Sequence, residues 1–154
     1  MISHYYEDLK PGNTFRSGPV VFTEAEIVEF SKRFDPLPVH TNPNSDEAQK
    51  FGGVIATGAH TLAVAFQLHV ATGIFGESFI VGLGLENVRW PAPAQHGDSI
   101  RAEVIVLEMR RSNSQPGCGI MKSELRAYNQ RNAGNDHGVD RDDQEPGQFA
   151  VTLH

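Results

Sequence analysis

The hydrophobic positions in the first third of the chain follow a helical repeat. Apolar residues recur at i, i+3 and i+7 spacing from Ile27 to Phe34. Thr23 precedes them as a suitable N-cap, and Glu26 three residues later completes a capping box. Pro36 disfavours helical geometry at the residue before it. The pattern therefore predicts a helix of about three turns that ends just before Pro36.

Two further helices are predicted between this helix and the middle of the chain. Asn42 is a suitable cap and Pro43 suits the first helical position, so a short helix is expected from there to the stop signal at Gly52-Gly53. The segment "TGAHTLAVAFQLHVATG", which begins at Thr57, is apolar on nearly all sides and has no breaker in its interior. This composition is typical of a buried central helix.

The pattern changes to a period of two after Gly76. "FIVGLGLENVRW" predicts a strand, "GIMKSELRAYNQ" predicts a strand with one slip that a bulge explains, and "FAVTL" predicts a last short strand. The opening segments "YYEDLKPGNTF" and "GPVVF" predict turns and edge strands. "DSIRAEVIVLEMRR" places four apolar residues on one face: Ile100, Ala102, Val104 and Val106. Strands, helices and again strands indicate an α+β fold with an antiparallel sheet.

Length and composition predict one globular domain over residues 1–154. The chain is 39% hydrophobic and 21% charged, which is ordinary for such a domain. The segment at about 130–147 is polar and without an apolar period, so it is expected to be a solvated loop. Cys118 is the single cysteine and lies between two glycines, so no intrachain disulfide is possible and a structural thiol is expected.

Charge narrows the classes of partner. A net charge of -6 without a basic cluster argues against nucleic-acid binding, because such binding depends on neutralising phosphates. No run of about 18 apolar residues is present to span a membrane, and no signal-like segment opens the sequence. A cytoplasmic location and a small-molecule or protein partner are therefore expected.

The common cofactor and metal motifs are incomplete. "GLG" at 82–84 lacks the third glycine and the following helix of a dinucleotide-binding loop. The seven histidines include no H-x-x-H or H-E-x-x-H pair and no cluster with the cysteine. No metal site is therefore predicted.

One stretch, "FDPLPVHTNP" at 34–43, carries a carboxylate and an imidazole through a proline-rich break that is expected to be a stiff loop. Asp35 and His40 have the chemistry of a general acid–base pair. The same residues have an ordinary interpretation, because Asp before Pro often starts a turn and a lone His is often a hydrogen-bonded structural residue. The residues alone leave both interpretations open.

The wider context resembles the MaoC-like family, which includes the R-specific enoyl-CoA hydratases. "FSKRFDPLPVHTNP…FGGVIATGAHTLA" is similar to the hydratase signature of that family, and the likeness extends from "YEDLKPGNTF" through "TEAEIVEF" to "VRWPAPAQHGDSIRAEVIV". The resemblance implies a hotdog fold, in which an antiparallel sheet wraps around a long central helix. It also implies a homodimer or a multiple of dimers.

The resemblance further implies a reaction and a set of site residues. The family adds water to 2-enoyl-CoA thioesters to give (R)-3-hydroxyacyl-CoA, with coenzyme A as part of the substrate and no metal or redox cofactor. Asp35 and His40 match the water-activating pair, and Gly58 matches the glycine whose N–H contacts the thioester oxygen. Thr57, where the hydratases often have His or Ser, is able to cap the same helix.

Two departures from the family pattern keep other functions open. Leu37 stands where the family often has Asn or Gln, and it cannot hydrogen-bond to the loop or the substrate. The polar segment at 130–147 is longer than the usual turn. An acyl-CoA thioesterase on the same fold and a non-catalytic acyl-thioester-binding protein are therefore the alternatives to a hydratase.

Overall fold

The computed structural model describes residues 4–132 and 148–153. A single turn of 3-10 helix at Tyr6–Asp8 opens the described part, and another at Gln130–Asn132 follows the long strand Gly119–Tyr128. The remaining elements are, in chain order, β1 Thr14–Arg16, β2 Val20–Val21, α1 Glu24–Phe34, α2 Pro38–Thr41, α3 Asp46–Gln49, α4 Gly58–Ala71, β3 Leu85–Arg89, β4 Ser99–Arg111, β5 Gly119–Tyr128 and β6 Gln148–Leu153. The predicted α+β class is confirmed, whereas most of the polar loop, residues 133–147, lies outside the described residues.

The strands form one antiparallel sheet in the order β1-β4-β5-β6-β3, and β2 pairs with the beginning of β4. The long hairpin of β4 and β5 is the centre of this sheet, and β3 is an edge strand next to β6. "FAVTL" is confirmed as a strand that begins one residue earlier, at Gln148. "FIVGLGLENVRW" was predicted as one strand, but only Leu85–Arg89 pairs, and the glycine-containing residues 79–84 before it have no regular structure.

The strand β4 alternates as its sequence predicts. The face toward the helices is buried and consists of the four predicted residues Ile100, Ala102, Val104 and Val106. The predicted bulge exists, but it lies in β4 and not in β5. Val106 pairs with Ser123 and Glu108 pairs with Lys122, so Leu107 is the extra residue. β5 then alternates regularly, with Ser123, Leu125 and Ala127 buried.

The helix α4 packs against β4 and β5 and supplies much of the core. Its interior residues Val64, Ala65 and Leu68 are buried, as expected for a central helix. Phe66 and Val70 are exposed, so the helix is not covered on all sides as its composition predicted. The sheet of one chain covers only the side of α4 that faces it. In the described ranges, no helix combines the length and apolar character needed to cross a bilayer.

The helices before α4 agree in part with the sequence pattern. α1 begins after Thr23 with the predicted capping box, and Asp35 is its C-cap. The expected stiff loop contains a turn of helix, α2, because Pro38 occupies its first position, where no N–H is required. The next helix does not begin at Pro43. It begins at Asp46, because the hydroxyl of Ser45 accepts a hydrogen bond from the Ala48 N–H.

Two histidines of α4 lie in apolar surroundings. His69 is 3% exposed and meets the edge of the Phe75 ring at 4.8 Å between centroids. His60 lies against the rings of Phe22 and Phe30. Each has one buried ring nitrogen without a hydrogen-bond partner among the described residues. Burial lowers the pKa of both, and that of His69 falls to about 4.

We predict that His69 makes the fold sensitive to acid. Between its unfolded pKa near 6.5 and its folded pKa of about 4, the unfolded chain binds a proton that the folded chain does not. The free energy of unfolding should therefore decrease as the pH is lowered through this window. His69 should contribute about 3 kcal/mol of this decrease. His69→Leu should remove this part of the pH dependence when urea unfolding is compared at pH about 7.5 and 4.5.

An exposed position on the same helix provides the control for this experiment. Gln67→Leu should retain the wild-type dependence on pH, because it places a leucine on the exposed side of α4 and removes no titratable group. Equal losses of stability in acid for His69→Leu and wild type would contradict the prediction.

Candidate active site

Asp35 is held at the end of α1 by its backbone. Its N–H donates to the Ser31 carbonyl at 2.9 Å, and its own carbonyl accepts from the Leu37 N–H at 2.8 Å. Because Pro36 lies between these bonds, the turn that follows the helix has little freedom. The carboxylate projects from this turn with 39% of its side chain exposed. It is therefore fixed at its base and accessible at its oxygens.

His40 is the buried partner in this region. It lies on α2, and its Nδ1 is 2.7 Å from the carbonyl oxygen of Ile55. Because a carbonyl oxygen only accepts, Nδ1 carries the hydrogen and donates it. In the neutral ring, Nε2 is then the unprotonated nitrogen, with its lone pair directed away from Ile55. The hydrogen bond thus selects one tautomer and one orientation of the imidazole.

The free side of the His40 ring faces Asp35. The distance from Nε2 to Oδ2 of Asp35 is 3.7 Å, which is longer than a direct hydrogen bond. With a neutral imidazole and an ionised carboxylate, both facing atoms are acceptors. A water molecule has two O–H groups, so it is able to donate one hydrogen bond to each. The geometry is therefore suited to hold and deprotonate a water molecule.

The beginning of α4 lies close to this pair along the chain. Ile55, which holds His40, is only three residues before Gly58, the first residue of the helix. The hydroxyl of Thr57 is buried and accepts from the His60 N–H at 3.1 Å, so it caps the helix as expected. The N–H of Gly58 belongs to the first turn and has no acceptor within the helix. This donor, at the positive end of the helix dipole, is suited to an anionic or polarised oxygen.

Gly58 is in close contact with the indole of Trp90, a residue that the sequence analysis did not select. A Cβ at position 58 would lie 3.1 Å from Cε2 and 3.2 Å from Cζ2 of Trp90. Glycine therefore permits the helix terminus and the indole to meet closely. Trp90 is the only tryptophan in the chain and directly follows β3, and these two features were the available signals.

The structure thus brings Asp35 and His40 together and connects them to Thr57 and Gly58 through residues 55–58. Within residues 4–132 and 148–153, no group of three or more His, Cys, Asp or Glu side chains is arranged to hold a metal ion. Cys118 lies elsewhere, in the turn between β4 and β5, and is not bound to another cysteine.

Comparison with known proteins identifies the family. The model of the MaoC like domain matches residues 8–128, so the chain belongs to the MaoC-like domain family. The uncharacterized protein YdeM of Bacillus subtilis is 28% identical over 120 residues, which cover 78% of this chain and 84% of YdeM. The 3-hydroxyacyl-thioester dehydratase Z of Mycobacterium tuberculosis is 34% identical over 85 residues, which cover 54% of this chain and 56% of the dehydratase.

Solved structures give the fold. The MaoC-like dehydratase from Rhodospirillum rubrum has a TM-score of 0.79 and 30% identity, covering 98% of this chain and 94% of its own. The R-hydratase PhaJ1 from Pseudomonas aeruginosa has a TM-score of 0.70 at 22% identity, and the match covers 97% of this chain and 83% of PhaJ1. A Mycobacterium tuberculosis protein with a double hotdog fold has a TM-score of 0.69 at 15% identity. The match covers 98% of this chain and 44% of that protein. The hotdog fold implied by the resemblance to the family is confirmed.

We predict that a side chain at position 58 displaces Trp90. In Gly58→Ala the new Cβ meets the indole at 3.1–3.2 Å, so the half-exposed ring has to shift by a few tenths of an ångström. The emission of the single tryptophan should therefore change in wavelength or intensity. Alanine has the better helix propensity, so the free energy of unfolding should change by no more than about 1 kcal/mol. Fluorescence and urea unfolding on the same samples measure both quantities.

Gly82→Ala is the matched control for this substitution. A Cβ at Gly82 meets no atom within 4 Å, so its emission spectrum should match that of the wild type. A wild-type spectrum in Gly58→Ala would show that the indole does not rest on this glycine.

Proposed function

We propose that the chain is a hydratase that adds water to 2-enoyl-CoA thioesters and gives (R)-3-hydroxyacyl-CoA, with the reverse dehydration at the same site. The observation that carries this proposal is the pair Asp35–His40, with 3.7 Å between Oδ2 and Nε2 and the imidazole oriented by Ile55. The family membership supports a hydro-lyase, and the relative named as a 3-hydroxyacyl-thioester dehydratase supports a thioester substrate.

In the proposed mechanism, a water molecule donates one hydrogen bond to Asp35 and one to Nε2 of His40. As its oxygen forms a bond with Cβ of the substrate, the pair removes a proton from the water. The electrons of the carbon–carbon double bond move toward the thioester carbonyl, and negative charge develops on its oxygen. The same proton is then returned to Cα on the same face. The product contains all the atoms of the enoyl thioester and one water.

The N–H of Gly58 is proposed to stabilise the negative charge on the thioester oxygen. It lies in the first turn of α4, without an acceptor in the helix and at the positive end of the helix dipole. Thr57 is proposed to hold this terminus by capping it. The addition of water requires no electron acceptor, so the proposed reaction uses no redox cofactor, and it is also proposed to proceed without a metal. Coenzyme A takes part only as the carrier of the acyl group.

Product analysis with the wild-type protein tests this proposal. Loss of the conjugated enoyl absorbance with the thioester intact is expected for a hydratase. Release of free thiol would instead identify a thioesterase, in which water attacks the carbonyl carbon. Binding of acyl-CoA without turnover would identify a non-catalytic protein. If no 2-enoyl thioester from four to sixteen carbons is hydrated above background, the proposal is wrong.

Substitution of the pair should separate catalysis from stability. Asp35→Asn preserves the shape of the side chain but removes its basicity, and His40→Ala removes the second proton carrier. Each should lower kcat by about 10²-fold or more. Because both residues are proposed to act on one water, the double variant should be little worse than the poorer single variant. Single-turnover rates and thermal midpoints on the same samples give these values.

A purely structural role of the two residues predicts a different result. Each variant would then lose about 1 kcal/mol of stability while turnover per folded molecule stays near that of the wild type. Unchanged rates in folded variants would place catalysis elsewhere in the chain.

We also propose that the protein is a homodimer or a multiple of dimers. Many large apolar side chains are exposed near α4 and before β3: Phe66, Val70, Phe79, Ile80, Val81, Leu83 and Leu85. Phe79 contacts Phe75, which in turn contacts the buried His69 of α4, so the segment before β3 packs against this helix. An apolar surface of this extent beside an edge strand is typical of an interface between subunits.

A substitution that introduces a charge into this apolar surface tests the predicted assembly. Ile80→Glu should convert a wild-type particle of at least twice 16.9 kDa into a monomer, as measured by light scattering at micromolar concentration. Val21→Glu, at an exposed apolar position on β2, should leave the particle mass unchanged. A wild-type monomer that hydrates substrate would rule out the proposed dimer.

A further inference from the structure

Leu37 is an exposed apolar side chain between the two residues of the pair. Its side chain is 55% exposed, although leucine side chains are often fully buried in the core. Its position is rigid, because prolines precede and follow it. Its N–H donates to the Asp35 carbonyl at 2.8 Å, and its carbonyl accepts from the N–H groups of His40 at 3.0 Å and Thr41 at 3.1 Å. The backbone of Leu37 is thus fixed between Asp35 and His40 along the chain.

The fold itself would favour a polar residue at this position. Leu37 is the N-cap of α2, and its side chain makes no capping hydrogen bond. Asn, Asp or Ser at an N-cap accepts a hydrogen bond from a first-turn N–H, whereas Leu is among the least favourable caps. Neither burial nor capping therefore explains a leucine here. A residue that contributes little to stability at an accessible point of a site is a candidate for contact with a ligand.

A second apolar side chain lies on the other side of Asp35. Phe34 is 59% exposed, and its ring rests on Phe30 at 4.7 Å between centroids. Asp35 thus has exposed apolar residues on both sides along the chain, one directly before it and one two positions after it. A hydrocarbon group that covers them removes apolar surface from water, which is favourable by the hydrophobic effect.

The proposed chemistry indicates which part of the substrate reaches Leu37. With the thioester oxygen at the Gly58 N–H and Cβ at the water held by Asp35 and His40, the acyl chain extends from Cβ away from the carbonyl. Residues that border the pair then border the acyl chain and not the coenzyme A arm. We propose that Leu37 is a specificity-determining residue that contacts the hydrocarbon chain beyond Cβ and favours longer apolar enoyl thioesters. This inference rests on the proposed hydratase function.

The test measures hydration against chain length in Leu37→Asn, Leu37→Met and the wild type. For 2-enoyl-CoA substrates of four to twelve carbons, the wild-type kcat/KM should rise with length. In Leu37→Asn the value for the four-carbon substrate should stay within about threefold of wild type, and that for the longest should fall by about tenfold or more, because contacts with methylene groups are lost. The loss should appear in KM. Leu37→Met should retain the rise with length, because methionine is also apolar and of similar size.

Two controls separate this role from folding and assembly. Asn is a good N-cap, so Leu37→Asn should unfold at the same temperature as wild type or higher. Val21→Thr, which removes an exposed apolar group on β2, should leave the dependence on chain length unchanged.

Three results would overturn the inference while the hydratase proposal stands. They are an equal loss at every chain length in Leu37→Asn, no loss at any length, and a loss that accompanies a change of particle mass in light scattering. The first result would show that Leu37 supports the water-activating pair, and the third result would show that it lies in a contact between subunits. A wild-type protein that hydrates no enoyl thioester would instead overturn the proposed function on which the inference rests.

Discussion

The candidate site depends on one hydrogen bond, from Nδ1 of His40 to the carbonyl of Ile55. This bond, 2.7 Å long, joins α2 to the segment that leads into α4. It sets the tautomer of the imidazole, turns Nε2 toward Asp35 and holds the proline-rich turn near the first N–H of the central helix. The Ile55 N–H also donates to the Val39 carbonyl at 3.3 Å, so the backbone joins the same two segments a second time. The orientation of the proposed catalytic base is therefore a property of the tertiary fold.

The packing of the central helix on the sheet explains where the candidate site lies. The hairpin of β4 and β5 supplies the apolar face on which α4 packs, so the helix is fixed along its length. Its first turn remains at the boundary of the core, where Gly58 meets Trp90 and Thr57 caps the helix. The first-turn N–H of α4 has no acceptor within the helix, and a donor that is already in place needs no reorganisation when charge develops.

Much of the fold was predictable because its signals are local. The capping box of α1, the unbroken apolar segment of α4 and the alternation of β4 each act within a few residues. The predictions that were wrong concern positions where two side chains compete to cap a helix or where two strands pair. Ser45 replaced Asn42 as the cap of α3, because the Asn42 side chain accepts from the Asn44 N–H in a turn, whereas the Ser45 hydroxyl accepts from the Ala48 N–H. The bulge was assigned to β5 because the register of a strand is decided jointly with its partner. One domain over the whole chain stays a prediction.

The sequence by itself determined the chemical types at the site: a carboxylate and an imidazole five residues apart, a threonine cap and a helix that begins with glycine. Their roles in catalysis stay predictions. Only the tertiary structure decided that Asp35 and His40 face each other at 3.7 Å, that Ile55 orients the imidazole and that Trp90 lies on Gly58. The physical reason is that helix signals and proline effects act on neighbouring residues, whereas these contacts join residues up to 32 positions apart. Distances across such separations are set by the packing of the helices on the sheet.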